Sequence, residues 1–465
     1  YAFSSHIYII NMTEFSTNLI EFIHRSHFSN FGSFPQSRLM RLVFVTLEYD
    51  ASTFSGNGIY AQSQVRGLLS CGHDVLIVCG QPSTTTTAPD ASDKTSARVL
   101  RLGVDAERWG TLDRHSAWES FAREAAGSCV TTAVAEFQPH CVLAVDWSGV
   151  AAYEAMRTAA ASDALATTKL VYLVYRVFSA NLNSDADESG DRAWHSARER
   201  HACAIADATV ALCRHDAHGA LAVFSTAESK PAAHVLLPSL RSPLREIALA
   251  ARASSAAPEA DDADDARSTL LCCVRLSPEK NAGCFVELIE TLHARGALVR
   301  HGITPVIVSN TQSDYAADLR TRARAVGAVL VETFQNADEM AAHFQRALLN
   351  VHTSLNEAFG MTIIEAAAFE VPSLVNHVAE PGPVGATDLL LKLGGGASGA
   401  TRRTRATFFA QELNCGVEVV ADAVEALLAD RATLRRVGVA AADAALEWDE
   451  TKNAEWLAEN VLSAL

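Results

Sequence analysis

From residue 41 onward, short runs of apolar and β-branched residues alternate with longer stretches whose apolar residues recur at helical spacing. Residues 42–46 form the first such run, residues 59–69 follow with helical spacing, and residues 74–79 form the next run. Gly72 suits the end of the intervening helix. Short strands that alternate with helices are typical of βα units built around a parallel sheet. The sequence therefore predicts an α/β fold.

The alternation occurs in two series of similar length. Strands of the first series are predicted at 42–46, 74–79, 99–102, 141–145, 170–174, 208–212 and 235–237, and those of the second at 270–274, 305–308, 328–331, 348–351 and 373–376. Between the series, residues 250–268 are rich in Ala, Ser and Asp and contain no large apolar residue, which is typical of a linker or an exposed insertion. We therefore expect two Rossmann-like halves with a ligand cleft between them.

These patterns divide the chain into five segments. They are an N-terminal extension of unclear role at 1–39, an N-terminal Rossmann-like domain at 40–249, an acidic Ala/Ser/Asp-rich linker or insertion at 250–267, a C-terminal Rossmann-like domain at 268–447 and a final helix at 448–465. The extension begins with Tyr1 and is rich in Phe, Ser, His and Asn. Met40 directly precedes the first strand, so residues 1–39 are either additional to a natural start at Met40 or a targeting remnant.

Composition excludes several classes of function. Of the 465 residues, 49% are hydrophobic and 20% charged, as in globular proteins. A net charge of −16 argues against a nucleic-acid partner or a broad anionic-membrane surface, because phosphate binding needs clustered Lys and Arg. The ten cysteines include no CxxC pair, so we expect buried thiols in a reducing, cytoplasmic compartment and no zinc site. We expect no transmembrane segment, because no apolar run is long enough to cross a bilayer.

Residues 354–368 carry the most specific chemistry. The segment follows a predicted strand and opens a helix, with Glu357 in the loop, Gly360 before the helix and Glu365 in its first turn. The first amides of that helix, at Met361 and Thr362, are expected to point outward as a diphosphate site. Carboxylates suit sugar and ribose hydroxyls, which donate hydrogen bonds. Alternatively, Thr362 and Glu365 form a capping box, and Glu365 only satisfies the helix start.

Five stretches of sequence together resemble the retaining GT-B glycosyltransferases, particularly family 4, the glycosyl transferases group 1. They are N-E-A-F-G-M-T-I-I-E-A at 356–366, L-C-C-V-R-L-S-P-E-K-N at 271–281, R-L-V-F-V-T-L-E-Y at 41–49 with S-G-N-G at 55–58, P-H-C-V-L-A-V-D-W at 139–147, and A-L-E-W-D-E-T at 445–451. The resemblance runs in order from Met40 to the C-terminus. It implies a GT-B fold in which two Rossmann-like domains face a cleft and a C-terminal helix crosses back to the first domain.

The resemblance also implies roles for individual residues. Arg275 and Lys280 would neutralise the diphosphate of a nucleotide-sugar donor, which offsets the charge of the leaving group without a metal. Glu357 would contact the donor sugar, and Glu365 the ribose of the nucleotide. The alternative for Lys280 is a solvated surface lysine at a helix start, although a cation there opposes the helix dipole.

Glycines and departures from the family pattern complete the expected donor side. Gly56 and Gly58 would let the first loop approach the sugar or phosphate, although S-G-N-G alone also suits an ordinary turn. Many family members carry a sugar-binding His after the strand equivalent to 170–174, where this chain has Tyr175 and Arg176, which either substitute or pack at the strand end. The family's G-G-x-x-E stretch is absent after residue 376. In its place, Gly385 is expected to open a helix toward phosphate.

Other polar and aromatic residues are ambiguous. Asp146 and Trp147 end a predicted strand and are acceptor-side candidates, although Trp147 also suits a core position. Several histidines lie on stretches that look like exposed helices and show no metal-ligand spacing: His195, His201, His215 and His218. We therefore expect no metal and no cofactor.

The expected function is transfer of a hexose from a nucleotide sugar, UDP- or GDP-linked, to an acceptor hydroxyl with retention of anomeric configuration. The acceptor, whether glycan, lipid or small molecule, is not encoded in any motif. Two alternatives stay open: a nucleotide-sugar epimerase or hydrolase on the same scaffold, and a non-catalytic nucleotide-binding protein, which the missing His and the altered stretch at 376–387 favour.

Overall fold

The computed structural model describes residues 39–83, 97–106, 109, 115–160, 165–180, 191–221, 224, 233–255, 267–376, 383–393 and 407–465. Contacts divide these residues into two compact units. We call them the N-terminal unit, residues 39–239 with Asp449–Leu465, and the C-terminal unit, Leu240–Trp448. The predicted extension at 1–39 lies outside the described residues except for Leu39.

A parallel sheet forms the centre of the N-terminal unit. In the described part of the chain its strands are β1 Arg41–Thr46, β2 Asp74–Pro82, β3 Arg98–Val104, β4 Cys141–Val145, β5 Lys169–Val174, β6 Ala208–Ala211 and β7 His234–Val235, in the order β3-β2-β1-β4-β5-β6-β7. The helices are α1 Gly56–Ser70, α2 His115–Ala125, α3 Ser128–Phe137, α4 Asp146–Ala159 and α5 Asp191–Ile205. The central strands β1 and β4 are buried along nearly their whole length, as expected for a sheet with helices on both faces.

The C-terminal unit repeats this architecture. Its strands are β8 Thr269–Cys272, β9 Thr304–Val308, β10 Val329–Val331, β11 Ala347–His352, β12 Ser373–Asn376 and β13 Phe409–Gln411, in the order β10-β9-β8-β11-β12-β13. The described helices are α6 Ser242–Ser255, α7 Ala282–Ala294, α8 Ala297–Arg300, α9 Asp314–Ala325, α10 Ala337–Arg346, α11 Met361–Ala368, α12 Ala386–Leu393, α13 Val417–Ala429 and α14 Arg431–Glu447.

The final helix, α15 Glu450–Asn460, belongs to the N-terminal unit and packs against α1. A Cβ atom added to Gly67 of α1 would lie 2.3 Å from the carbonyl oxygen of Glu450, so the two helices approach closely only because position 67 is glycine. Arg66 binds both carboxylate oxygens of Glu450, at 3.1 and 2.6 Å. The predicted return of the C-terminal helix to the first domain is confirmed.

The predicted strands are present with ends shifted by a few residues, and the short edge strand β13 was not predicted. Two boundaries differ from the prediction. Helix α6 packs against α10 and α11, so residues 240–249 group with the C-terminal unit. The predicted linker begins as the end of this helix, through Ser255, because Ala and Arg are good helix formers. Residues 256–266 lie outside the described part of the chain.

Strand order fixes where ligands can bind in each unit. The order reverses direction between β1 and β4 in the first sheet and between β8 and β11 in the second. Loops that leave the carboxyl ends of such neighbouring strands diverge to opposite faces, which opens a crevice at that point. The loops after β8 and β11 contain the residues singled out from the sequence.

Candidate functional site

The loops after β8 and β11 lie side by side in the C-terminal unit. β8 pairs with β11 in parallel, so both chains leave the sheet at the same edge. The Thr353 hydroxyl donates a 2.8 Å hydrogen bond to the Lys280 carbonyl oxygen and joins the two loops. This bond fixes the backbone from which the Lys280 side chain extends.

Lys280 and Glu357 form an ion pair across these loops. The Lys280 ammonium lies 2.5 Å from Oε2 of Glu357, and each side chain is 17% exposed. The Ser354 hydroxyl is 3.4 Å from the same oxygen. Lys280 ends a single 3₁₀ turn, Pro278–Lys280, and helix α7 starts only after Asn281, which adopts a left-handed conformation with φ 48°. Lys280 therefore stands in front of the helix instead of in its first turn.

His352, the last residue of β11, lies beneath this pair. Its Nε2 is 3.9 Å from Oε2 of Glu357, and burial lowers the pKa of His352 to about 4. Burial is the largest single influence and acts to raise the pKa of Glu357, but the effects of Lys280, His352 and Arg275 together outweigh it, so the pKa is lowered overall. At neutral pH the site therefore holds a neutral imidazole beside an ammonium–carboxylate pair.

Arg275 lies at the rim of the site. Its side chain is about half exposed and pairs with Glu279, with Nη2 3.2 Å from Oε1. It contributes to the lowered pKa of Glu357 without contacting that carboxylate in the described structure. The two predicted cations are thus near each other but not equivalent, because Lys280 is enclosed and Arg275 is open to solvent.

Gly360 sets the start of helix α11. Its φ of 89° lies in the region that favours glycine, and an added Cβ would lie 2.9 Å from Cδ1 of Ile363 and 3.3 Å from Cγ of Glu357. The Ile363 amide bonds to the Gly360 carbonyl oxygen. Within the described chain, the Met361 and Thr362 amides have no hydrogen-bond partner, so they remain available at the edge of the sheet.

Glu365 occupies a position that the sequence analysis described incorrectly. Because the helix is capped by Gly360, Glu365 lies in its second turn, and the predicted capping box with Thr362 is not formed. Glu365 is 4% exposed and pairs with Arg241, whose Nε lies 2.7 Å from Oε1. Arg241 directly precedes α6 and lies outside the five stretches that resemble the family, so no sequence pattern pointed to it.

Gly385 supports the Glu357 loop instead of offering a free amide. The Gly385 amide donates to the Glu357 carbonyl oxygen at 3.1 Å, and the Glu357 amide donates to the Pro383 carbonyl oxygen at 2.8 Å. The Ala386 amide is bound to the Phe359 carbonyl oxygen. Gly385 directly precedes helix α12, as expected, but in this conformation the Gly385 and Ala386 amides are occupied by these carbonyl oxygens, so they offer no free donors to a phosphate. Residues 377–382 lie outside the described chain.

In the N-terminal unit, Gly56 and Gly58 belong to the first turn of α1, not to the loop that was predicted to reach residue 58. Ser55 caps this helix by accepting from the Asn57 amide. A Cβ on Gly58 would lie within 3 Å of Thr53, whereas Gly56 faces open space. Gly58 is therefore required for local packing, and Gly56 is the position where a ligand can approach the backbone.

Asp146 joins two loops at the carboxyl edge of the first sheet. Its Oδ1 accepts from the amides of Tyr175 and Arg176 at 2.8 and 3.1 Å, and its Oδ2 accepts from Nδ2 of Asn57 at 3.2 Å. Its φ of 53° is unusual for a residue other than glycine, although Asp and Asn tolerate it best. Burial raises the pKa of Asp146 to about 7.

The other acceptor-side candidates are packed. The Tyr175 ring is buried, and its hydroxyl donates to Oε1 of Gln64 at 2.5 Å. The Arg176 guanidinium lies over the Phe178 ring, 5.1 Å from its centroid. Trp147 is buried in an aromatic cluster with the rings of Trp118, Phe178, Trp194 and His195.

His195 differs from its prediction. It is buried in this aromatic cluster and stacked on Phe178 instead of lying on an exposed helix face, and burial lowers its pKa to about 4. Across the described residues, no group of three or more His, Cys, Asp or Glu is arranged to hold a metal ion. The search of the same residues for a helix long and apolar enough to cross a membrane found none.

Solved structures match both units over most of the chain. A sucrose-phosphate synthase from Thermosynechococcus elongatus is 15% identical, with a TM-score of 0.64 over 92% of this chain and 100% of its own. The chain has the GT-B fold. An α,α-trehalose-phosphate synthase (UDP-forming) from Burkholderia vietnamiensis is 15% identical (TM-score 0.63, 90% of this chain and 95% of its own). The catalytic domain of starch synthase IV from Arabidopsis thaliana, bound to ADP and acarbose, is 13% identical (TM-score 0.57, 86% and 95%).

The family comparison concerns the C-terminal unit. Residues 256–384 match the family described as Glycosyl transferases group 1. A search of curated proteins returns no match. The matched segment contains seven donor-side residues predicted from the sequence: Arg275, Lys280, Glu357, Gly360, Met361, Thr362 and Glu365. Arg241 and Gly385 fall outside it.

Proposed function

We propose that this protein is a glycosyltransferase that moves a hexose from a nucleotide-sugar donor to an acceptor hydroxyl. The observation that carries the proposal is the Lys280–Glu357 ion pair, which lies at the strand-order reversal of the C-terminal unit and within the segment that matches the glycosyltransferase family. A partly enclosed cation–carboxylate pair offers separate partners to the two ends of a sugar diphosphate. The ammonium suits phosphate oxygens and the carboxylate suits sugar hydroxyls.

The diphosphate would bind where positive charge and free amides converge. The ammonium of Lys280 offsets the charge that develops on the leaving diphosphate, and the exposed guanidinium of Arg275 adds to it from the rim. The Met361 and Thr362 amides, beside Gly360, supply hydrogen-bond donors at a helix N-terminus. This donor set carries the charge without a metal or another cofactor, so we propose that none is needed.

Glu357 would position the sugar and stabilise positive charge at its reacting carbon. The lowered pKa keeps the carboxylate ionised, and neutral His352 beneath it adds no competing charge. We assign it no nucleophilic role and propose retention of configuration, with the leaving diphosphate assisting the incoming hydroxyl.

Nucleotide binding is the first test. Full-length protein is heated with millimolar UDP, GDP or ADP, where UDP is suggested by the similar UDP-forming trehalose-phosphate synthase and ADP by the similar starch synthase domain bound to ADP. A nucleotide at about 100 times its dissociation constant stabilises the folded protein by about 2.7 kcal/mol, which raises the unfolding temperature by a few degrees. Lys280→Ala should abolish the rise, whereas Lys169→Ala, which removes a surface ion pair with Asp207, should not. No rise with any nucleotide would refute the proposal.

Product analysis separates transfer from the alternative reactions. With a labelled nucleotide sugar and candidate acceptors, a transferase yields a new glycoside whose anomeric proton coupling shows retention or inversion. A hydrolase yields free sugar even when acceptors are present, and an epimerase yields an isomeric nucleotide sugar. Nucleotide binding without any product would identify a non-catalytic binding protein.

A further inference from the structure

Neither ring nitrogen of His352 is hydrogen-bonded to another residue of the described chain, although the ring is buried. Its side chain is 3% exposed, and Nδ1 has no hydrogen-bond partner. Nε2 lies 3.9 Å from Oε2 of Glu357, which is beyond hydrogen-bond distance. Buried polar groups in native structures are nearly always hydrogen-bonded, so a ring nitrogen that faces a carboxylate without bonding to it calls for a physical explanation.

The surroundings of the ring favour a neutral imidazole with its proton on Nε2. Burial lowers the pKa of His352 to about 4, so the ring is neutral at physiological pH. A neutral imidazole has one N–H donor and one acceptor nitrogen. An acceptor lone pair on Nε2 would repel the Glu357 carboxylate, whereas an N–H at the same place is attracted to it. His352 therefore holds a neutral donor toward Glu357, about 1 Å short of an ordinary hydrogen bond.

Lys280 explains why this bond is not formed. Its ammonium is 2.5 Å from Oε2 of Glu357, and a charged donor is a stronger partner for a carboxylate than a neutral one. Gly360 leaves space beside both side chains, because a Cβ there would lie 3.4 Å from Nε2 of His352 and 3.3 Å from Cγ of Glu357. A shift of the carboxylate by about 1 Å would bring it to hydrogen-bond distance from the ring.

We propose that His352 is a positioning residue whose Nε2–H becomes the hydrogen-bond donor to Glu357 when Lys280 moves to the diphosphate of the nucleotide sugar. The carboxylate then exchanges a charged partner for a neutral one and keeps its full negative charge toward the sugar. Without His352, departure of Lys280 would leave a largely enclosed carboxylate short of a hydrogen-bond donor, which is unfavourable. This inference rests on the proposed function, because it presupposes that a diphosphate draws Lys280 away from Glu357.

The direct test observes the His352 ring by NMR. Full-length protein containing isotope-labelled histidine is titrated with UDP, GDP and ADP, and comparison with His352→Gln identifies the signals of His352. Without nucleotide, the ring nitrogens should have the shifts of a neutral imidazole protonated on Nε2. When a nucleotide binds, the Nε2–H proton should move downfield, because it then bonds to a carboxylate. A ring that is protonated on Nδ1, or an Nε2–H signal that does not move downfield on nucleotide binding, would overturn the inference.

A double-mutant cycle on the dissociation constants of UDP, GDP and ADP, measured by calorimetry, separates this role from direct contact between the ring and the nucleotide. His352→Leu should weaken binding roughly tenfold, the loss expected for one hydrogen bond to a charged group. His352→Gln should bind nearly as tightly as wild type, because the amide nitrogen of Gln supplies a replacement donor. In a Glu357→Ala background, His352→Leu should cause no further loss. Equal weakening in both backgrounds would contradict the inference, since the ring would then act on the nucleotide without Glu357.

Folding is verified by the unfolding temperature of each variant without nucleotide. His343→Leu is the matched control, because His343 lies on α10 with its Nε2 3.3 Å from Oε1 of Gln335, and it should bind nucleotide as wild type does. If His352→Leu does not fold, the wild-type NMR titration alone still decides the outcome. Nucleotide binding without the downfield movement of Nε2–H overturns the inference and leaves the proposed function intact. If wild type binds no nucleotide, the proposed function fails and the inference fails with it.

Discussion

Carboxylates lie at the carboxyl edges of both sheets, but they have different partners. In the N-terminal unit, Glu48 accepts from the amides of Phe54 and Ser55, and Asp146 accepts from two further amides. In the C-terminal unit, Glu357 and Glu365 each face the side chain of a cation. One edge of the protein uses carboxylates to fix loops, and the other keeps them paired with side chains.

This difference indicates which carboxylates are available to a ligand. A carboxylate that accepts hydrogen bonds from backbone amides cannot turn to a ligand without disturbing the loop. The amides would lose their partner, and burying an amide without a hydrogen bond destabilises the folded protein. A carboxylate paired with a flexible lysine can exchange that partner for a hydroxyl while the lysine turns to a phosphate. We therefore expect substitutions at the first edge to change stability and substitutions at the second to change binding and turnover.

The largest effect is expected at Lys280. Removing a group that stabilises developing charge costs about 10²–10³ in turnover, so Lys280→Ala should reduce transfer by that factor. Initial rates at one fixed donor concentration, the same for variant and wild type, provide the measurement, with Lys169→Ala as the control for loss of a surface lysine. If a folded Lys280→Ala protein kept transfer activity within a fewfold of wild type, the expectation that substitutions at the second sheet edge change turnover would be wrong.

A smaller effect, on stability, is expected at Glu48. Its carboxylate also binds the Ser55 hydroxyl at 2.6 Å, so Glu48→Ala leaves two amides and a hydroxyl without this partner. We expect a loss of about 2 kcal/mol, because solvent can reach part of the loop, and a fall in unfolding temperature of about 4–8 °C. Glu154→Ala, which removes an exposed contact with His201, should change the unfolding temperature little. An unchanged unfolding temperature in Glu48→Ala would mean that the loop does not depend on this carboxylate.

A pH-dependent effect is expected at Asp146. Its pKa in the folded protein is raised to about 7, above the unfolded value of about 3.9, so the folded state binds the proton more tightly. Its contribution to stability is therefore complete below pH 4 and is lost as pH rises through 7, by at most about 1.4 kcal/mol per pH unit. Asp146→Asn keeps an acceptor oxygen and tolerates the φ of 53°, but it does not titrate.

The measurement for Asp146 is the difference in unfolding free energy between wild type and Asp146→Asn from pH 4 to pH 8. Burial lowers the pKa of His195 and of His352 to about 4, so the folded protein loses the stability that these neutral histidines contribute as pH falls below 6.5. This change is opposite in direction to that of Asp146. Because both proteins contain these histidines, the difference isolates Asp146. A difference that does not vary with pH would show that Asp146 does not titrate in this range.

The comparison also explains what sequence reasoning could reach. Apolar runs and their spacing predicted both sheets, because burial on two faces demands continuous apolar strands. Lys280 and Glu357 were found because they lie in two stretches, 271–281 and 356–366, that resemble the same glycosyltransferase family. Arg241 and the bonds by which Asp146 joins two loops were not found, because their partners are distant in sequence and only the fold brings them together. Gly385 does precede helix α12, but a local pattern could not reveal that its amide donates to the Glu357 carbonyl oxygen.

The smallest effect tests whether the Lys280–Glu357 pair exchanges partners. Before a nucleotide can bind, the Lys280 ammonium must leave a carboxylate at 2.5 Å. Glu357→Gln keeps the shape of the side chain but removes the charge that competes with phosphate. We therefore expect the nucleoside diphosphate to bind about three- to tenfold more tightly, a gain of roughly 1 kcal/mol, while transfer is lost.

Calorimetric titration of Glu357→Gln with UDP, GDP and ADP measures this gain, and Glu290→Gln, which alters the partner of Arg322 away from the site, is the control. Tighter binding together with lost transfer would show that Glu357 restrains Lys280 in the free protein and acts on the sugar, not on the nucleotide. Weaker binding would mean that Glu357 instead holds Lys280 in the geometry that phosphate requires. The Lys280–Glu357 pair would then stay together when nucleotide binds, as the carboxylates of the N-terminal unit stay bound to their amides. The two sheet edges would differ only in the groups that their carboxylates bind.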